Sequence, residues 1–484
     1  MKKKLVISIL SAVFFMQTFS AGYALSHAEA KSIKQQVKAD KKAAKKAEKA
    51  AKKAAKKSKN DENASDAAYQ AGIYTGKIIQ VEDCIKLALE NHPAIQAAMA
   101  DTDIYKSRIA QAWSAFFPVL SAGISYSRND MQTVNVAAPV QRYDMYYVPS
   151  LSANMLVFDF GKTKAAADIA KRGYEAAEYN LENNINTVIF NVKQSYYNLL
   201  FALQQVKVYE DAVKDYQIHL EQAKAYYDIG KKPKIDVLTA EYNLGNANLN
   251  LIHARNTLKI AYVSLSNAMG LPELEDYDVI DNLKEKNYDI TAEKAVNTAY
   301  ETSPELLAAK KRSDASALLI RASKRAFLPD ITAFASYTKG GRSINTDDGY
   351  QFGARLGYSD VNLLLLKKQM DEAKAQYKKD YADYRHVKQN IYYEVKQAYL
   401  NLITARQSID VSRLSMNQAQ EQYDSASGRY KAGLGDAVAL KDSETTFRNA
   451  QLDYYNTLLN YHTSAANLER LMGAPLEIQQ TETL

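Results

Sequence analysis

The chain has 484 residues, 47% of them hydrophobic, so its size does not limit how much core it can bury. Its formal charge of +7 is local: residues 31–59 are dominated by Lys and Ala, with Asp40 and Glu48 their only acids, and the rest is close to neutral, which argues against a nucleic-acid surface. A single cysteine, Cys84, excludes an internal disulfide and a cysteine-based metal site, and six scattered histidines without a phosphate loop or nucleophile elbow give an enzyme nothing to build on, so no cofactor or metal is expected.

At the N-terminus Lys2, Lys3 and Lys4 precede an apolar run, residues 5–19, and then small residues. This is the layout of a secretory signal peptide, too short to span a bilayer as a helix. Cleavage after Ala24, Ala28 or Ala30 fits equally, so residues 1–24, and at most 1–30, are assigned to the signal. None of these sites is followed by Cys, and no lipid anchor is expected. Residues 31–77 read as a low-complexity spacer without an apolar face; electrostatic attachment to an anionic surface is the alternative to a solvated tail. No later run of 18 apolar residues occurs, so a membrane span here has to be made of strands.

From about residue 78 the chain is written twice. A helix over about 81–115 is broken at Asn91-His92-Pro93, and Ser303-Pro304 breaks its counterpart. Phe116-Phe117-Pro118 returns as Phe327-Leu328-Pro329, an offset of 211. After each proline the period changes from 3.6 to 2. Leu120, Ala122, Ile124 and Tyr126 alternate with Ser121, Gly123, Ser125 and Ser127; a second strand sets Leu151, Ala153, Met155 and Val157 against Ser150, Ser152 and Asn154. The other half repeats this with Ile331, Ala333, Ala335, Tyr337 and Phe352, Ala354, Leu356, Tyr358. Four strands, each apolar on one face, match a membrane barrel but cannot close one, so several chains must pool them.

Each hairpin feeds a long helix, about 163–229 and 361–432. In the first, Val188, Val192, Ser195, Leu199, Ala202, Val206, Tyr209, Val213, Tyr216, Leu220, Ala223 and Tyr227 recur every three or four residues. Shifted by 203, the seam returns as Ile391, Val395, Ala398, Leu402, Ala405, Ile409, Ser412, Met416, Ala419, Tyr423, Ala426 and Tyr430. A 3.5-residue period demands a partner helix and a left-handed supercoil, and the Ala and Ser in it demand close backbones. Roughly 70 residues at 1.5 Å each make a rod on the order of 100 Å, several bilayers long. Turns at residues 230–233 and 433–435 lead to return helices that end in Met269-Gly270 and Met472-Gly473. The offset falls from 211 to 203, so the first half carries eight extra residues, which the loop at 128–144 is expected to hold. The boundaries are then 78–272 and 291–475 for the repeats, 273–290 for an acidic linker around mid-rod, and 476–484 for a tail.

These paired repeats, with Phe158-Asp159-Phe160-Gly161-Lys162, Tyr227-Asp228-Ile229-Gly230, Ile235-Asp236-Val237-Leu238 and Met269-Gly270 in order, resemble the TolC-like outer-membrane efflux family. The resemblance implies a mainly α fold with a small membrane β-barrel: a coiled-coil α-helical barrel continued by a trimeric 12-strand β-barrel, four strands per chain. It implies a homotrimer in the lipid of a Gram-negative outer membrane, extending into the periplasm, where it meets a periplasmic adaptor protein and an inner-membrane transporter of a tripartite efflux or type I secretion system. It also implies rings of aspartate at the periplasmic end. Asp442 matches one ring, whereas Ala439 stands where the other is expected; Asp236 holds that place in the first repeat and Asp436 lies nearby, so these three acids are the pore-gate candidates. A solvated helix-surface carboxylate is the alternative reading of Asp442 and of Asp436. Gly230, Lys231, Lys232, Gly433, Leu434 and Gly435, the irregular backbone at the far end, are the candidate adaptor-docking tips. The departure at Tyr358-Ser359-Asp360-Val361-Asn362, which lacks a glycine like Gly161, leaves Asn362 to take unusual dihedrals. A periplasmic or surface coiled-coil scaffold is the alternative function; it explains the seams and leaves the strands unused.

Overall fold

Proline sets the first boundaries in the computed structural model, which describes residues 78–133, 140–271, 277–280, 283, 285, 288, 290–340, 347–358 and 362–476. The signal, the Lys/Ala spacer and the tail beyond 476 lie outside the described residues. The first repeat contains β1 (Ile78–Ile79), α1 (Val81–Asn91), α2 (Pro93–Trp113), β2 (Val119–Thr133), β3 (Val140–Phe158), α3 (Lys162–Asp228) and α4 (Lys234–Ala268). The linker holds β4 (Asp278–Val279), and the second repeat contains α5 (Ala292–Thr302), α6 (Pro304–Arg325), β5 (Asp330–Gly340), β6 (Asp347–Gly357), α7 (Leu363–Lys431) and α8 (Ala437–Met472).

Pro93 and Pro304 each occupy the first position of a helix, where a missing N–H costs nothing. His92 is the turn residue between α1 and α2, its Nδ1 accepting from the Ala94 N–H. The return helices explain why each break must be tight. Gly270 has φ 72, and a Cβ there would lie 2.6 Å from His92 Cα; at Gly473, φ 71, it would lie 2.7 Å from the Thr302 carbonyl. Only glycine lets each return helix end against the opposing break. Cys84 is fully buried in α1, and burial, reinforced by Asp83, pushes its thiol up to about 12.

Both seams are covered: of the residues named above only Tyr227 is exposed. In the half nearer the turns the helices lie side by side as α4, α3, α8, α7; in the half nearer the sheet as α2, α3, α6, α7. α3 is therefore central throughout and buries a second stripe that includes Tyr197, Leu200, Gln204, Val208, Ala212 and His219. Halfway along, β1 and β4 pair in parallel, the Tyr196 hydroxyl donates to the Ile280 carbonyl at 3.0 Å, and Glu285 pairs with Arg406 and Arg413 of α7. The linker is thereby pinned to mid-rod.

The four long strands form one antiparallel sheet in the order β2, β3, β5, β6. Its register keeps the faces coherent: Leu120, Ala153, Ala335 and Phe352 form one row across all four strands, and Ser121, Ser152, Ser336 and Gln351 the row on the other face. Two expectations are corrected. The extra residues of the first half do not sit in a loop at 128–144, because β2 and β3 run to Thr133 and from Val140, 15 and 19 residues long against 11 and 11 for β5 and β6. Continued ladder pairing satisfies the backbone better than a loop does. Asn362 takes no unusual dihedral: at φ −106 it is extended, and its side chain caps α7 by accepting from the Leu365 N–H. At the first junction Phe160 (φ 54) and Gly161 (φ 85) make the turn, held by Asp159 and by Arg325 donating to the Gly161 carbonyl at 2.8 Å.

Candidate functional site

The end of the rod opposite the sheet is built from two glycine turns. Gly230 (φ 72) ends α3 and lets the Lys231 and Lys232 N–H groups return to the Tyr226 carbonyl; Gly433 (φ 76) does the same for Leu434 and Arg429. A Cβ on Gly435 would lie 2.8 Å from Tyr430 N, so this position too excludes a side chain. Leu434 is exposed at the tip.

Tyrosines from both repeats tie the turns together. The Tyr226 hydroxyl donates to the Lys431 carbonyl at 3.0 Å, and its ring meets Tyr430 edge-on. Lys232 stands between the Tyr430 ring, 5.9 Å away, and Asp236, 3.6 Å away. Burial, then the nearby Asp236, Tyr226 and Asp436 in that order, pushes the Tyr430 phenol up. Two of the acidic candidates, one from each repeat, thus converge on Tyr430. Asp442 is not part of this group; it is exposed in the second turn of α8, with Lys441 3.7 Å away. Tyr430 entered the sequence reading only as a seam residue, and its partner Tyr226, just off the seam, escaped it.

Farther up, α3 and α8 enclose a second polar group. Arg448 pairs with Asp215, and fully buried Glu444 lies 3.7 Å from His219 and 3.9 Å from Arg448. Burial pushes Glu444 up to about 8, with Arg448 opposing and Asp215 adding to the rise; burial pushes His219 down. The signal that would have found it is a comparison of the repeats. The counterparts of Asp215, His219, Glu444 and Arg448 at the 203-residue offset are Gln418, Gln422, Glu241 and Gly245.

The same comparison exposes an unmet contact. α3 packs on α8, but the equivalent faces of α7 and α4 are open. Val208 is 4% exposed and its counterpart Val411 66%; buried Tyr197 corresponds to exposed Leu400, and buried His462 to exposed Lys259. Along α4, Leu249, Ile252, Ile260 and Val263 are likewise bare. Among the described residues the outer edges of β2 and β6 have no strand partner.

The pattern of the outer membrane efflux protein family matches residues 84–271 and 295–474. The outer membrane protein TolC of Vibrio cholerae serotype O1 is 26% identical over 202 residues, 41% of this chain and 45% of that protein, so the chain spans less than half the length of that relative. The outer membrane efflux protein BepC of Brucella suis biovar 1 is 23% identical over 344 residues, 70% of this chain and 73% of that protein. The fold is that of the Campylobacter jejuni CmeC outer membrane channel, with a TM-score of 0.71 over 82% of this chain and 86% of that one at 18% identity. With both of its repeats matched, this chain belongs to the outer membrane efflux protein family.

Proposed function

We propose that the chain is one of three identical subunits of a passive export duct of the Gram-negative outer membrane, whose helical tube crosses the periplasm to an adaptor protein and an inner-membrane transporter. The unmet pairing of the repeats carries this reading. A face of α7 that matches α3, and a face of α4 that matches α8, complement each other only between copies, and such a head-to-tail contact repeats until a ring closes. The sheet supports the same assembly, since its bare edges are forbidden in lipid and its apolar rows suit the outside of a pooled barrel. Twelve strands from three copies is the number the family likeness implies.

The contact is testable because its template lies within the chain. Tyr197 and His462 stack 4.4 Å apart between α3 and α8, and Leu400 and Lys259 are their counterparts on the open faces. Oxidised Leu400→Cys/Lys259→Cys protein is expected to run as a reducible ladder ending at three chains, while each single variant stays uncrosslinked and buried Cys84 stays silent. Ladders ending at another number, or monomer alone, would overturn the trimer.

Within this reading the turns, Gly230 to Lys232 and Gly433 to Gly435, form the adaptor surface, and Asp442 contributes the acidic ring at the tip. Like charges converging on an axis attract cations and repel one another. Single-channel recordings of Asp442→Ala should show cation preference reduced several-fold; unchanged preference and conductance removes Asp442 from the gate. Asp236, paired with Lys232 beside the Tyr430 ring, and Asp436 are the further acidic gate candidates at the same end.

A further inference from the structure

The polar group between α3 and α8 has no role in the duct as described. The repeat counterpart of Glu444, Glu241, pairs with Lys224 at 3.6 Å on the face proposed to meet the next copy, and where Arg448 stands the first repeat has Gly245. Glu444, by contrast, sits fully buried within one chain and without a lysine partner.

Its surroundings are closed on every side. From α3, Asp215, Tyr216 and His219 face it. The Tyr216 hydroxyl interacts with the carboxyl and favours its ionised form, opposing part of the rise. From α7, Tyr423 lies 5.9 Å beneath the Arg448 guanidinium and stacks on Phe447, Tyr430 meets His219 edge-on, and the Lys431 charge opposes a proton on His219. On α8 itself Arg448 is committed to Asp215 and Gln451, while Lys441 and Asp442 lie outside in solvent. With Arg448 and Asp215 cancelling each other, the pocket is neutral only while Glu444 and His219 share no net charge.

We propose that Glu444 and His219 form a proton-linked latch on the α3–α8 seam: the seam closes over the protonated Glu444 carboxyl and loosens, turning α8 away from α3, when that proton leaves. A bare carboxylate here adds a second negative charge beside Asp215 with one guanidinium between them, and opening the seam hydrates it. The closed seam holds Glu444 at about 8 against an ordinary value of 4.5. The raised group favours the closed seam fully below 4.5 and loses that advantage as pH rises to about 8, about tenfold in the closed-to-open ratio per pH unit. His219, pushed down from 6.5, has the opposite slope and weakens the seam as pH falls below that value. The seam is tightest in weakly acidic solution. α8 begins at the turn carrying Gly433, Leu434 and Gly435, so a loosened seam frees the tip.

The latch concerns contacts within one chain and holds whether or not the assembly conducts. Spin labels at exposed Glu221 of α3 and Thr446 of α8, in full-length protein reconstituted in vesicles and diluted with unlabelled chains, read the seam directly. One short distance is expected at pH 6.5 and a longer population at pH 9. Glu444→Gln should keep the short distance at both values. Asp215→Asn, which removes the repelling charge and releases Arg448 to Glu444, should reduce the long-distance population at pH 9. His219→Gln should retain the alkaline opening. No pH response in the parent protein, an undiminished response in Glu444→Gln or in Asp215→Asn, or loss of the alkaline opening in His219→Gln would each overturn the proposal.

Discussion

Arg448→Ala is expected to speed amide exchange around Asp215 and Glu444 about a hundredfold while leaving the sheet unchanged. Removing one partner of a buried ion pair costs about 3–5 kcal/mol, because the other charge is left without compensation. The Asp215 side chain keeps 30% of its surface in water, so the lower end applies. About 3 kcal/mol corresponds to a factor on the order of a hundred in local opening. The loss also removes packing, since the guanidinium lies 5.2 Å over Phe447 and 5.9 Å over Tyr423. Replacing both partners separates these effects. Asp215→Leu/Arg448→Met keeps the volume and leaves no orphaned charge, and should recover most of the protection. The counterpart faces of α4 and α7 already do without the pair, with Gly245 and Gln418 at these positions. Exchange unaltered in Arg448→Ala, or a double variant no better than the single, would show that the pair does not hold the seam.

That pair also marks the limit of what periodicity reveals. A seam of apolar residues at 3.5 spacing reports that a stripe is covered, and both long seams are, apart from Tyr227. It does not report which helix covers the stripe. α3 carries two stripes because it lies between α4 and α8, and the second, with Gln204, Asp215 and His219 in or beside it, is polar enough to read as surface. Glu444 and Arg448, four residues apart, look like an ordinary exposed helix pair. Only the mismatch between repeats distinguishes them, with Asp215 and Arg448 at one contact and the uncharged Gln418 and Gly245 at the other. The hairpins were legible for a different reason. A period of two fixes the face of every residue once one is placed, and the observed register keeps the predicted faces aligned across all four strands. Strand length was not legible, because the polar composition of Arg128, Asn129 and Asp130 resembles a loop while ladder pairing carries β2 onward to Thr133. The helix breaks were legible from proline, but the reason for the two terminal glycines is a contact with residues some 170 positions away, which local sequence does not encode.

Phe352→Arg is expected to cost about 2–4 kcal/mol per chain, and Gln351→Arg almost nothing, although the two residues are neighbours. Phe352 lies at the middle of the 11 residues of β6, is 78% exposed, and pairs with Ala335 in the row that continues to Ala153 and Leu120. A pooled barrel puts this row near the bilayer midplane, where a guanidinium has neither water nor a partner. Gln351 belongs to the opposite row, with Ser336, Ser152 and Ser121, and the same charge there enters a water-filled bore. The cost falls on every subunit at once, so the temperature at which the assembly dissociates should drop sharply for Phe352→Arg and hold for Gln351→Arg. Unfolding by urea from vesicles of defined lipid measures the same difference per chain. A soluble scaffold whose hairpins lie against water on the Phe352 side predicts the opposite ranking, because arginine at an exposed, wet position is harmless. Equal effects at the two positions would mean that neither face of the sheet meets lipid, and the duct would lose its membrane segment.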